Sequence, residues 1–332
     1  MPYYYDFSNK TLFGIQNNAE RLSWAGYYIF VVLSSFLGST TILVASSKYK
    51  AFKLHKLVVI VIQHIAVCDL VTSLSFYLSK TVALLADGWI LGSGLCNLQY
   101  YTRHYITATG AYLICALTAT KMLILRYPLR AGSLTARTAH VGCLTIWVCI
   151  MIVPIIFIID DSGITFDYRI FDCMYDFSSR TWQWCKPILV LLFLIFPAIT
   201  VVVTTFYLLT MAKRIAKRDR KTLKWQGLTT TILTASVYCV SVLPSFLIAM
   251  TSSISESLSS SSELYFYRIS VSCLTLNAIS NFYIYCLTLP SFRAFLLTRL
   301  RILLLSFTPS KQGSSHIERR CKIDSIRNKS EL

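Results

Sequence analysis

The sequence predicts an all-α membrane protein: a seven-transmembrane helix bundle with a short amphipathic surface helix after the seventh helix. Three observations carry this. Seven long stretches are almost free of charge, each long enough for the roughly 20 apolar residues that a helix needs to cross the hydrocarbon core. The chain is 55% hydrophobic and only 14% charged, whereas soluble domains carry about 25% charged residues. The connecting segments alternate in sign. Segments 48–56, 121–137, 213–224 and 293–332 hold 24 of the 32 Lys and Arg but only 4 of the 15 acidic residues. Short loops rich in Lys and Arg stay in the cytoplasm, so the alternation places the N-terminus outside and makes the number of crossings odd. Asp160, Asp161, Asp167, Asp172 and Asp176 then fall on the outer side. A net charge of +17 would otherwise point to nucleic acid. Sorted by side, the basic residues instead orient the chain and meet anionic membrane lipid, and no nucleic-acid partner is expected.

The first span, 24–46, carries no charge. The second, 57–85, is interrupted by His64, Asp69 and Lys80. The third, 94–125, contains Arg103, His104 and Lys121. The fourth (141–159), fifth (187–212), sixth (225–255) and seventh (269–292) are charge-free. Backbone polar groups cannot be left open in lipid, so these spans are helices. The period-2 alternation of barrel strands is absent. Trp24, Tyr27, Trp89, Trp182 and Trp184 fall near outer ends, where interface aromatics collect. The first apolar run follows no basic leader and is long enough to span, so no cleaved signal peptide is expected. After the seventh span, apolar residues are interleaved with Arg293, Arg299 and Arg301, the pattern of an amphipathic helix on the inner membrane face. Residues 306–332 are rich in Ser, Lys and Arg with few aromatics, the composition of a disordered tail. The chain thus divides into an extracellular N-terminus (1–23), a seven-span domain (24–290), a surface helix (291–305) and a cytoplasmic tail (306–332).

Landmark residues stand in order along these spans. The second reads Ala66-Val67-Cys68-Asp69-Leu70. The third begins at Cys96, and 25 residues later stand Thr120-Lys121-Met122, followed by Tyr127-Pro128-Leu129-Arg130. Trp147, Pro197 and Pro244 mark the fourth, fifth and sixth. The seventh carries Asn277, Asn281-Phe282-Tyr283-Ile284-Tyr285 and then Pro290-Ser291-Phe292-Arg293. Through these residues the chain resembles the rhodopsin-like G-protein-coupled receptors over 24–305. That family has Ala-x-x-Asp-Leu in its second helix, Asp-Arg-Tyr at the end of its third, and Asn-Pro-x-x-Tyr in its seventh. Here Phe282 replaces the proline.

The resemblance implies a receptor at the plasma membrane, not an enzyme, which binds an extracellular ligand and signals to a heterotrimeric G protein. It places Asp69, Asn277, Asn281 and Tyr285 in a polar switch that holds a sodium ion in the family, although Gly110 and Ala278 replace hydroxyl residues often found there. An ionisable group in mid-membrane usually serves a function; the bland alternative is an Asp that only ties helices together. The resemblance also implies a Cys96–Cys173 disulfide, which an oxidising outer side permits. Cys185 competes for the pairing, and with 11 cysteines at least one is unpaired.

Arg103 lies on the face that lines the family's outer pocket, flanked by Tyr100 and His104. Amine receptors have an Asp there. An arginine fork suits carboxylates and phosphates, so the expected ligand is an acidic small molecule or peptide. The alternative role for Arg103 is a structural pair with an outer-loop acid such as Asp172 or Asp176. Opsins carry a retinal-binding Lys where this chain has Thr275, so no retinal is expected. At the cytoplasmic end, Lys121, Arg126, Arg214 and Lys224 are the candidates for G-protein coupling. Lys121 keeps the charge of the family's arginine but not its bidentate geometry, its acidic neighbour is Thr120, and Lys224 stands near the place of the partner acid on the sixth helix. The family's sixth-helix Trp is Val242. Without an inter-helix ion pair the resting state is expected to be weakly held and basal activity high; the opposite reading is a receptor that no longer couples.

Smaller signals complete the reading. Asn9-Lys10-Thr11 is a glycosylation sequon in the outer terminus. The tail serines offer phosphorylation sites through which a receptor kinase and arrestin would act, and Ser330-Glu331-Leu332 fits the C-terminal motif of a PDZ partner. A seven-helix transporter or channel is the other membrane reading, but no repeat, broken helix or chain of intramembrane acids is present. Hydrolase motifs such as His-Glu-x-x-His and Gly-x-Ser-x-Gly are missing as well.

Overall fold

The computed structural model describes residues 18–47, 52, 54–151, 164–167, 170–175, 191–218, 225–254 and 261–307. The helices follow in order as α1 (Asn18–Ser46), α2 (Lys56–Thr72), α3 (Leu78–Leu85), α4 (Gly92–Arg126), α5 (Pro128–Ser133), α6 (Ala136–Ile150), α7 (Phe196–Arg218), α8 (Trp225–Ile254), α9 (Ser261–Thr288) and α10 (Pro290–Phe307). A hairpin of β1 (Ile164–Asp167) and β2 (Asp172–Tyr175) stands between α6 and α7. Among the described residues, six helical stretches are long and apolar enough to cross a membrane, and Ala136–Ile150 is a shorter apolar one. This is the build of a multi-pass membrane protein. The predicted residues 152–159 and 187–190 lie outside the described residues.

Local chemistry explains the boundaries. The His55 side chain accepts from the Leu57 backbone N–H at the start of α2, and the Thr135 hydroxyl accepts from the Thr138 N–H at the start of α6. Both satisfy donors that have no partner within their own helix. Pro128 opens α5, where its missing N–H costs nothing. A five-residue π-turn, Ser73–Tyr77, joins α2 to α3. Its extra residue rotates the outer half of the predicted second span by about 100° relative to a straight helix. A second π-turn, Leu191–Ile195, precedes α7 and Pro197.

Two boundaries differ from the sequence reading. The predicted seventh span, 269–292, starts earlier, at Ser261, and stops at Thr288, because Pro290 has no N–H to continue the ladder and instead opens α10. The β-hairpin was not anticipated: its two four-residue strands are too short to show a period. They pair antiparallel, Ile164 opposite Tyr175 and Asp167 opposite Asp172.

The interior forms one large cluster toward the end of the bundle away from the disulfide, including Ile42, Ile62, Leu113, Leu117, Tyr285 and Phe292. Smaller clusters toward the outer end surround Tyr28, Phe76 and Phe171 and the Cys96–Cys173 pair. Phe36, Leu37, Val203 and Phe206 are exposed on the outer faces of α1 and α7, as lipid-facing residues are. The unusual Phe282 is accommodated by Gly38 on α1, where a Cβ would lie 2.8 Å from the Phe282 Cβ. That atom cannot swing aside. Gly38→Val is therefore expected to part α1 from α9 and cost about 1–3 kcal/mol, read as a lower unfolding temperature of the purified protein in detergent.

Candidate functional site

Three polar groups punctuate the apolar bundle, one at each depth. At the outer end, Cys96 near the start of α4 is bonded to Cys173 in β2, with Cα atoms 5.5 Å apart. The bond pins the hairpin against α4. Asp172, one residue before Cys173, is consequently carried into the bundle, where it is 1% exposed. Its neighbour Phe171, at the hairpin tip, takes the left-handed conformation (φ 52°) and packs in the cluster with Tyr28 and Phe76.

Asp172 collects donors from three helices and from its own strand. Arg103 Nη1 donates to Asp172 Oδ2 at 2.6 Å, and Lys80 Nζ at 3.4 Å. Gln99 Nε2 donates to Oδ1 at 3.4 Å, the Tyr267 hydroxyl to Oδ2 at 3.4 Å, and the Cys173 backbone N–H to Oδ1 at 2.9 Å. The Arg103 guanidinium also lies over the rings of Phe76 and Tyr100, 5.1 and 5.9 Å from their centres. Lys80 stands 5.4 Å from the centre of the Tyr28 ring. Among the described residues, the buried Lys80 and the half-buried Arg103 thus share one carboxylate.

The predicted ligand residues are brought together: the His104 ring stacks 4.4 Å from that of Tyr100, its Nδ1 2.9 Å from the Tyr100 carbonyl oxygen. Arg103 makes the outer-loop pair that was the alternative to a ligand contact. Lys80 and Gln99 were missed. The signal for Lys80 was present, a lone cation in an apolar span, but its partner lies 92 residues away in sequence. Thr275, in place of the opsin lysine, meets the Tyr27 hydroxyl.

At mid-depth, Asn281 Nδ2 donates to Asp69 Oδ2 at 2.8 Å, and the Ser35 hydroxyl donates to the Asp69 carbonyl at 3.2 Å. Asp69 and Asn281 are buried. The side-chain oxygens of Asn277 and Asn281 and the Tyr285 hydroxyl are buried without a hydrogen-bond partner among the described residues. Tyr285 packs edge-on against Phe52 and Phe292.

At the end of the bundle opposite the disulfide, the Lys121 ammonium rests on Gly227 of α8, where a Cβ would come within 2.6 Å of Nζ and 2.8 Å of a Leu54 methyl. Arg126 is exposed and bonds the hydroxyls of Tyr127 and Tyr207. Arg214 is exposed on α7. Ser306 ends up in the last turn of α10, where its hydroxyl donates to the Leu303 carbonyl; Lys224, Asn9, the tail serines from Ser310 on and Leu332 lie outside the described residues.

The family model described as 7 transmembrane receptor (rhodopsin family) matches residues 38–285. No curated protein matches the chain in a sequence search.

Proposed function

The chain belongs to the rhodopsin family of seven-transmembrane receptors, and on that premise we propose that it binds an acidic extracellular ligand and signals to a heterotrimeric G protein. In this reading it sits in the plasma membrane with its N-terminus outside and α10 on the inner face. The observation that carries the ligand class is the outer cluster, where, among the described residues, Lys80 and Arg103 share the carboxylate of Asp172. An incoming carboxylate or phosphate meets both cations, one of them a guanidinium of matching geometry. It either joins Asp172 or displaces it. Displacement would free the hairpin, which the Cys96–Cys173 bond keeps tethered to α4.

The switch follows from the same layout. A ligand shifts a receptor between states only by binding one of them better. The Asp69–Asn281 bond ties α2 to α9, and Tyr285 beside Phe292 is the element that would move. A sodium ion beside Asp69 belongs to this reading. The Asp69 carboxylate and the orphaned oxygens of Asn277 and Asn281 are hard oxygen donors suited to it, although Gly110 and Ala278 supply none. Bound there, the ion would offset the buried charge of Asp69. Lys121, Arg126 and Arg214 would meet the G protein as α8 moves, with Lys224 beside them. A receptor kinase, arrestin and a PDZ protein would read the tail.

Cells expressing the chain would be challenged with a panel of free carboxylates and their methyl esters, with second messenger as the readout. Acids are expected to act and esters not. Arg103→Gln, at equal surface level, is expected to weaken an active acid at least tenfold, about 1.4 kcal/mol of binding. An unchanged potency would remove Arg103 from the site. For coupling, ligand-independent output is compared with that of Lys121→Ala. A chain that reaches the surface but is silent under both tests would speak for a receptor that no longer couples.

A further inference from the structure

We propose that His64 on α2 and His140 on α6 form a two-histidine zinc site that ties these two helices together. His64 Nε2 lies 3.2 Å from His140 Nδ1, and the ring centres are 5.5 Å apart with the planes at 62°. A tetrahedral zinc ion holds imidazole nitrogens at about 2.0–2.1 Å, which puts two of them about 3.3 Å from each other. The observed separation is already the bite of one zinc ion. The residues stand 76 positions apart in the chain, so helix packing creates the pair. His140 lies in the second turn of α6, at the end of the bundle opposite the disulfide.

The chemistry of the pair suits an ion. Ionisable side chains in a membrane span are costly and usually serve a function, and a single hydrogen bond between helices needs no imidazole on either side. Two imidazolium rings repel each other at this distance, so the facing nitrogens share at most one proton. When that N–H shifts to the far nitrogen of its own ring, both facing nitrogens present lone pairs, and no proton is lost to solvent. Neutral imidazole is the commonest metal ligand and suits zinc, whereas sodium and magnesium prefer oxygen. Both rings are half-buried, and Arg137 and Thr138 beside His140 are exposed, so an ion and its water reach the pair. Among the described residues no third His, Cys, Asp or Glu is placed to join the set, and water fills the other two positions. The site uses none of the residues of the outer cluster, of the Asp69–Asn281 contact or of the Lys121 contact, and it does not rest on the proposed function.

The test is a zinc titration of the purified full chain in detergent, read by calorimetry and by the thermal unfolding midpoint. The wild-type chain is expected to take up one zinc ion at this site and to unfold at a higher temperature with zinc than without, because the ion binds only the folded pair. His64→Gln and His140→Gln, each alone, should weaken that binding about tenfold or more and remove the rise in midpoint. The readout is the zinc-dependent rise, not the starting midpoint, so loss of a hydrogen bond alone does not imitate loss of the site. Magnesium at the same concentration should produce neither effect. Cobalt(II) in place of zinc should give the visible bands of a nitrogen- and oxygen-ligated ion without a thiolate charge-transfer band. No saturable zinc binding by the wild type overturns the proposal. So does undiminished binding in His64→Gln/His140→Gln, an equal response to magnesium, or a strong thiolate band, which would move the ion to the cysteines.

Discussion

Asp172→Ala is expected to destabilise the protein by about 3–5 kcal/mol, the cost of removing one partner from a buried ion pair. Lys80→Met, at the other side of the same cluster, is expected to raise stability by about 1 kcal/mol. The opposite signs follow from the charges. Lys80 and Asp172 are buried and Arg103 is half-buried, with side chains 6%, 1% and 17% exposed. Removing the carboxylate leaves two cations facing each other away from water. Removing the lysine leaves the arginine and the carboxylate, 2.6 Å apart, as a balanced pair, and a methionine keeps the contacts of the lysine stem with Tyr28 and Phe76. Thermal unfolding in detergent, followed by intrinsic fluorescence, reads both. If Lys80→Met destabilised as much as Asp172→Ala, the account of two cations sharing one carboxylate would be wrong. The proposed function adds a second axis: Lys80→Met should stabilise the fold while weakening any acidic ligand, a trade of stability against binding found where a site holds strained or unbalanced groups.

Gly227→Leu is expected to raise ligand-independent signalling about tenfold, whereas Gly227→Ala should change it little. A Cβ at Gly227 would press only on the tip of Lys121 and a methyl of Leu54. Both ends are flexible and give way to one methyl group. A leucine has no such room, and the inner ends of α4 and α8 must separate. The Lys121 ammonium packs closely on this glycine, and that contact helps to hold the two helices together. A tenfold rise corresponds to about 1.4 kcal/mol against the closed arrangement. Equal basal output from wild type, Ala and Leu at matched surface expression would show that this contact does not govern the resting state.

The expectation of a weakly held resting state came from residue identities alone: Lys121 and Lys224 where an opposite-charge pair would stand. What those identities did not show is the substitute contact. Gly227 carries no side chain and so no pattern, and its role appears only when Lys121 is seen lying on it. The contact between Asp69 and Asn281 was more legible. Asp69 and Asn281 stand out as polar residues in apolar spans, and they meet at 2.8 Å. Arg103 was legible as a charge in the membrane but not as a paired one. Its partner is set by the disulfide, because Cys173 bonded to Cys96 leaves the adjacent Asp172 nowhere to point but inward.

Charge sorting, apolar length and the ordered landmarks determined, from the sequence by itself, that this chain is a membrane bundle of the rhodopsin family type. Those features act through the solvent: lipid and water sort residues one by one, so the sorting can be read one residue at a time. Which charges face each other was decided only by the tertiary structure. The π-turn at Ser73–Tyr77 turns α3, the hairpin folds Asp172 inward, and Lys80 and Arg103 meet it from two different helices. Ion pairs and packing contacts depend on distances between residues far apart in the chain, and those distances exist only once the helices have packed.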